Sequence, residues 1–273
     1  SNREGYGGVI SNRRSLIVTN SLFVKNGVHS NLYPGGNWWY SSGGGVIYSS
    51  PYYGNTYGSL IITNSTFDQN FVHVNVDYGT PYGAILDLQG SSDSNHKVYL
   101  FNSIITNSSL QQDSTDYTST NTYYKANNLC KYEKESVSLN VNYSAIDGST
   151  DQTWADDNVF DINPVYNDPA NLDYSLSNLS PVIGQGTSSF ESYRAPATDI
   201  TGASRPSSNP DMGAYENSLS SSSAPLPVTG LAGTAKTNSA YLSWSAVKSS
   251  LVSTTDATNI KYLIYQGDSQ VGT

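Results

Sequence analysis

A six-residue phrase returning about every forty residues constrains this chain more than any other feature. Leu16-Ile17-Val18-Thr19-Asn20-Ser21 recurs as Leu60-Ile61-Ile62-Thr63-Asn64-Ser65. It returns more loosely as Val98-Tyr99-Leu100-Phe101-Asn102-Ser103 and as Leu139-Asn140-Val141-Asn142-Tyr143. Asn20, Asn64, Asn102 and Asn142 lie 44, 38 and 40 residues apart, and the residues three further on, Phe23, Phe67, Ile105 and Ala145, stay apolar. Upstream sits a second recurring element: Gly8-Val9-Ile10, Gly45-Val46-Ile47 and Gly83-Ala84-Ile85.

Each period therefore predicts three short strands, at Gly-Val-Ile, at Leu-Ile-Ile-Thr and at Phe-x-x-Asn. That is the plan of a solenoid whose like strands stack into parallel sheets around a narrow apolar stripe. The expected fold class is all-β: a right-handed parallel β-helix with three short strands per rung, plus a partial β-sandwich. The recurring Asn suits a sharp corner, because it tolerates left-handed backbone and its side-chain amide can bond to the amides of neighbouring rungs. The spacing predicts that Asn20, Asn64, Asn102 and Asn142 stack at one corner.

Composition agrees with many turns and few helices: 13% of residues are charged, 23 are Gly, and Tyr outnumbers Phe 22 to 6. The net charge of −9 argues against nucleic acid, since no basic stripe is available to neutralise phosphates. Cys130 is the single cysteine, which excludes an intrachain disulfide and a cysteine-built zinc site. No run of about 18 apolar residues marks a transmembrane segment.

Gly-Gly-Val-Ile followed by Phe-x-x-Asn resembles the repeat of polymorphic outer-membrane and adhesin-type β-helix proteins. Residues 160–216 resemble the ending of the bacterial surface β-helix family called choice-of-anchor Q. The resemblance rests on Phe160-Asp161-Ile162-Asn163-Pro164, Asp173-Tyr174-Ser175-Leu176, Ser180-Pro181-Val182-Ile183, Asp199-Ile200-Thr201-Gly202, Arg205-Pro206 and Asp211-Met212-Gly213-Ala214-Tyr215-Glu216. Gly184 departs from it, standing where the family usually has Asp. The resemblance implies an extracellular or cell-surface bacterial protein, often polysaccharide-related, and no one enzymatic activity.

The expected organisation is a β-helix over 1–216, closed by a segment from about 151 to 216, then a Ser/Pro linker over 217–227. Residues 228–273 resemble the first strands of a fibronectin type III domain, through Tyr241-Leu242-Ser243-Trp244 and Tyr262-Leu263-Ile264-Tyr265. The repeat starts without a cap and the sandwich is half complete. The expectation is thus a fragment of a longer polypeptide or, alternatively, head-to-tail self-assembly into a filament.

Two aromatic insertions flank one Gly-Val-Ile strand and are the expected carbohydrate-binding elements: Trp38, Trp39 and Tyr40, and Tyr52, Tyr53 and Tyr57. Aromatic faces beside Asn and Ser offer a sugar ring an apolar platform with polar partners; packing against an exposed edge is the competing reading. The functional expectation is a structural or adhesive module that presents these loops to a polysaccharide, a cell-surface glycan or neighbouring copies. The alternative is the C-terminal part of a polysaccharide lyase or hydrolase with its active rungs upstream. Such enzymes use a Lys or Arg base, or clustered Asp. The candidates are Arg13, Arg14, Lys25 and Lys97, and Asp68, Asp77, Asp87 and Asp93, with His73 and His96 nearby. No cofactor is expected. The acidic balance leaves Ca²⁺ open at Asp156-Asp157-Asn158 with Asp161, where a polar turn competes.

Overall fold

The computed structural model describes residues 7–31, 41–50, 58–75, 80–88, 96–112, 129–131, 137–150, 152–222, 224–226, 228–237, 239–251, 256–258, 260–266 and 269–272. Among these the chain is all-β, with one 3₁₀ turn at Pro169–Asn171 as its helical element. No helix among the described residues is long and apolar enough to cross a membrane.

The strands come in successive rungs. The first rung holds β1 (Ile10–Asn12), β2 (Leu16–Thr19), β3 (Leu22–Val24), β4 (Gly27–Asn31) and β5 (Ser41–Gly43). The second holds β6 (Ile47–Ser49), β7 (Ser59–Thr63), β8 (Thr66–Asp68), β9 (Phe71–Asn75) and β10 (Thr80–Tyr82). The third holds β11 (Leu86–Leu88), β12 (His96–Phe101), β13 (Ile104–Thr106) and β14 (Ser109–Gln112). The fourth holds β15 (Leu129–Lys131), β16 (Val137–Asn142) and β17 (Ser144–Ile146), and β18 (Val159–Phe160) follows it. Equivalent strands pair in parallel, so the described strands stack into five parallel sheets: β1-β6-β11-β15, β2-β7-β12-β16, β3-β8-β13-β17-β18, β4-β9-β14 and β5-β10.

Three strands per rung was therefore too few. After the turns at Asn26 and Asn70 the chain makes a fourth strand, in which Val28, Val72 and Leu110 stand in register. Only that one position is apolar in all three strands, a thin signal, and no repeated phrase marks it. The corner alignment also shifts by one residue in the fourth rung. Asn142 pairs with Phe101, and Ala145 pairs with Ile104. The left-handed corner residues are Asn20, Asn64, Asn102 and Tyr143, with φ of 45°, 47°, 50° and 44°. The residue three beyond Tyr143 is Ile146, which pairs with Ile105.

The interior is built from aliphatic rows that run across the rungs. Ile10, Ile47, Leu86 and Leu129 form one row, Leu16, Leu60, Val98 and Leu139 a second, and Val18, Ile62, Leu100 and Val141 a third. Phe23 and Phe67 stack face to face at 4.9 Å and continue as Ile105 and Ile146. Trp154 and Val159 pack against this cluster beyond the fourth rung, where Ala155 bridges in parallel to Val141.

The corner is held by Ser rather than by an unbroken Asn ladder. The Ser21 N–H donates to Ser65 Oγ at 3.2 Å, Ser65 N–H to Ser103 Oγ at 3.4 Å, and Ser103 N–H to Ser144 Oγ at 3.1 Å. Each hydroxyl donates in turn to a carbonyl two residues back, at Thr19, Thr63, Phe101 and Asn142. Among the corner Asn side chains, Asn102 Nδ2 donates to Asn64 Oδ1 at 3.3 Å, which links the second and third rungs.

From Phe160 to Asn217 the chain leaves the stack and lies along its outside. It contains the hairpins β19 (Tyr166–Asp168)–β20 (Asp173–Leu176) and β21 (Ser189–Phe190)–β22 (Tyr193–Arg194). Leu176, Val182, Ile183 and Met212 cover Ile104 and Ala145, which face outward on the third sheet. Phe190 and Tyr193 cover Tyr99 and Phe101 on the second sheet, with ring centres 4.9 to 6.3 Å apart. Between these two patches the segment crosses the Asn corner. Asn20 Nδ2 donates to Thr198 O, Asn64 Nδ2 to Asp211 O and Asn102 Nδ2 to Thr187 O, at 2.6, 3.2 and 2.7 Å.

The C-terminal residues form two antiparallel hairpins, β23 (Ala232–Lys236)–β24 (Ser239–Ser243) and β25 (Ile264–Gln266)–β26 (Ser269–Gly272). Trp244 and Tyr262 meet with ring centres 5.1 Å apart, beside a groove of about 490 Å³ lined by Leu231, Leu242, Val247 and Leu263.

Candidate functional site

Trp38, Trp39, Tyr40, Tyr52, Tyr53 and Tyr57 lie outside the described residues. Their points of attachment are described. The first insertion leaves β4 at Asn31 and re-enters at Ser41. The second leaves after Ser50 and re-enters before β7 at Ser59. Both thus spring from the two ends of one segment, Ser41–Ser50. Gly44 (φ 65°) and Gly45 hold that segment against its neighbours: a Cβ on Gly45 would fall 2.1 Å from Ala84 O. The base of the insertions is a fixed backbone platform.

The catalytic candidates do not gather into one open cleft among the described residues. Arg13 and Arg14 are exposed in the turn between β1 and β2, Lys25 is exposed at φ 56°, and Lys97 is exposed on β12. Asp77 and Asp93 lie outside the described residues. Asp87 is 2% exposed on β11, in register with Tyr48 and Cys130. Ser49 Oγ and His96 Nε2 sit 3.2 Å apart, and both residues are fully buried. Asn12 Nδ2 donates to the same Ser49 hydroxyl at 2.9 Å. A serine beside a histidine has the makings of a nucleophile, but a fully buried pair has no path to a polymer; it satisfies polar groups at an inner corner.

The best-formed acidic group lies on the outer face of the third sheet. Asp68 and Thr106 are in register, and Asp147 takes the next rung of the same row, directly after Ile146. Asp68 Oδ1 accepts from Thr106 Oγ1 at 2.8 Å and Asn107 Nδ2 at 2.7 Å. Its Oδ2 accepts from Gln69 Nε2 and Tyr174 Oη, both at 2.8 Å. Asp147 accepts from the Asn107 N–H at 2.7 Å. Burial first, and then the charges of Asp161 and Asp68, raise the Asp147 carboxyl above its ordinary range, against that N–H bond. Tyr174 and Tyr166, rings 5.0 Å apart, close over the row, and burial also raises both phenols. With four donors and 1% exposure, Asp68 anchors the overlying hairpin. Asp147 escaped the sequence reading because the fourth rung was aligned one residue early.

The Ca²⁺ candidate forms a hydrogen-bonded turn. Asp156 accepts from Asn142 Nδ2 at 3.0 Å and from the Asp157 N–H at 2.6 Å, and Asp161 accepts from Thr150 Oγ1 at 3.3 Å. No group of three or more His, Cys, Asp or Glu suited to a metal ion occurs among the described residues.

A second charged network lies where the outer segment crosses the corner. Arg205 Nη1 meets Glu216 Oε2 at 2.6 Å, and Arg205 Nη2 donates to Gly213 O at 2.9 Å and Asn20 Oδ1 at 3.3 Å. Asp211 Oδ1 accepts from the Gly184 N–H at 2.7 Å and its Oδ2 from the Asn217 N–H at 2.6 Å. Asp199 accepts from the N–H groups of Thr201, Ala203 and Glu216. Gly184, at φ 66°, is required as it stands, since a Cβ there would fall 2.3 Å from Ser220 O. One guanidinium pairs with Glu216 and feels the charges of Asp199 and Asp211. Burial and then the Glu216 charge push Asp211 up to about 7, against its two N–H donors and Arg205. Burial also raises Glu216; at Asp199 burial is outweighed by the N–H and hydroxyl donors, which hold it low. These are the residues that carried the family resemblance, and here they tie the outer segment to the stack.

Comparison with known protein families, curated proteins and solved structures finds no match to this chain.

Proposed function

We propose that this chain is a structural or adhesive module of the bacterial cell surface or exterior. In this reading it is a right-handed parallel β-helix closed by residues 151–216, with a fibronectin type III-like segment after the 217–227 linker. Its two aromatic insertions present Trp38, Trp39, Tyr40, Tyr52, Tyr53 and Tyr57 to glycan chains or to neighbouring copies. One observation carries the reading: both insertions spring from opposite ends of the fixed segment Ser41–Ser50, while Asp68 and Asp87 are buried within the fold. Paired insertions on one base suit a repetitive polymer, because one turn of the chain presents two contact elements to it. The test is binding of the chain to insoluble cell-wall and algal polysaccharides and to a glycan array. Binding that falls at least tenfold in Trp38→Ala/Trp39→Ala, with an unchanged melting curve, supports the reading; wild-type chain that binds none of them sinks the glycan arm.

A second reading, a polysaccharide-active enzyme, draws on the Asp68–Asp147 row. Strands two apart in a sheet place equivalent residues about 9.6 Å apart, just beyond the roughly 6.5–9.5 Å used by inverting glycoside hydrolases. It requires the Tyr166–Tyr174 cover to lift. Reducing-end assays on the same polysaccharides decide it: release of sugar ends that stops in Asp147→Asn would favour the enzyme.

A further inference from the structure

The fourth sheet carries an outward row that the proposed function does not use. His29 on β4 pairs in register with His73 on β9. Val28 and Val72, one residue earlier, are buried, so the histidines project from the opposite face of the sheet. His29 is exposed and His73 half-buried. Their ring centres are 4.5 Å apart and their planes stand at 82°.

We propose that His29 and His73 form a two-imidazole site for a divalent transition-metal ion, of the Cu²⁺ or Ni²⁺ class. The geometry carries the assignment. An ion bound at the usual metal–nitrogen distance lies about 3.2 Å from the centre of each imidazole ring. Two rings about such an ion stand about 4.5 Å apart for a 90° angle between nitrogens and about 5.2 Å apart for a tetrahedral angle. The separation here puts both rings within reach of one ion, and Cu²⁺ and Ni²⁺ stand high in the affinity order of divalent ions for imidazole nitrogen. Neighbouring strands of one sheet hold the two side chains, so little conformational freedom is lost on binding. Among the described strands β4 is an edge of its sheet, and the ion would fasten that edge to β9.

The chain contains three histidines, and His96 is fully buried, so a two-imidazole signal at the surface belongs to this pair. Cu²⁺ is titrated into the full chain and followed by calorimetry and by the nitrogen hyperfine pattern in electron paramagnetic resonance. The expected result is one ion per chain with two imidazole nitrogens, affinity reduced at least tenfold in His29→Ala or His73→Ala, and slower hydrogen exchange in β4 with metal bound. Thermal melts of the apo variants check that the fold persists. In place of the His73→Ala result, a misfolded chain would leave His29→Gln, at an exposed position, to report the same loss. A signal that survives the double variant, as from the amino terminus, or a one-nitrogen pattern, overturns the proposal.

Discussion

The inside of the stack and the segment laid along its outside solve one problem, holding rungs in register, by opposite chemistry. Inside, rows such as Val18, Ile62, Leu100 and Val141 carry no polar atom, and each residue repeats the role of the one before it. Outside, Leu176, Val182, Ile183 and Met212 make a small apolar patch, and the crossing of the corner depends on Arg205, Asp199, Asp211, Glu216 and three Asn side chains. Apolar rows tolerate a shift of neighbours, because burial has no direction. A buried ion network does not, because removing one member leaves the others unpaired. The interior therefore supplies stability that any rung can extend, and the outer segment supplies a unique placement.

Breaking the outer network should have the largest effect. Arg205→Ala leaves Glu216 and Asp211 without their cation, at a cost of about 3–5 kcal/mol. Hydrogen exchange should rise over residues 182–217 while the amides of β7 and β12 stay protected. If β7 and β12 open to the same extent, the two regions are one cooperative unit and the contrast fails.

Leu100→Ala should follow at about 2–5 kcal/mol, as a cavity in a fully buried row. Its loss should appear as a lower urea midpoint for the whole stack, without selective opening of the outer segment.

The third expectation concerns pH. Asp211 stands at about 7 in the folded chain, above an ordinary Asp. Its contribution is full below the ordinary Asp range and is lost as pH rises through about 7. The outer segment should thus resist exchange better at pH 5 than at pH 8. Asp211→Asn, which keeps a neutral side chain, should flatten that difference; an unchanged pH profile in this variant would assign the effect elsewhere.

The smallest effect belongs to the Ser ladder. Ser103→Ala removes the acceptor of the Ser65 N–H and should destabilise by about 0.5–1.5 kcal/mol. Ser21→Ala, on the first rung, should cost less, since Ser21 joins the ladder through its backbone N–H, which alanine retains. Equal losses at both positions would show that the ladder bond is not what Ser provides.

The parallel stacking and the inner rows were legible in the sequence because the same apolar phrase recurs at Leu16, Leu60, Val98 and Leu139. The fourth and fifth sheets were not, since one apolar position shared by β4, β9 and β14 leaves no phrase to find. Register failed by one residue in the fourth rung because Asn142 imitates the corner Asn, while Tyr143 takes the left-handed backbone. The Ser at 21, 65, 103 and 144 was the better guide, being bonded across every rung. Among the site residues, Asp68 was noticed for its charge, but its role depends on Tyr174, which is 106 residues away. No local pattern encodes a contact made by a segment that returns from the far end of the stack.

The Ser ladder has one more consequence, for how such a molecule can grow. Its bonds all run one way: each N–H reaches the hydroxyl of the following rung, and each hydroxyl then secures its own turn. Consecutive members lie 44, 38 and 41 residues apart, so the corner ignores the length of what lies between. Duplication of one turn, loops included, would find both its acceptor and its donor waiting. A gene for this fold can lengthen by whole turns, or vary its insertions, with the Ser ladder unchanged, while the outer segment held by Asn20, Asn64 and Asn102 is the part that would have to adjust.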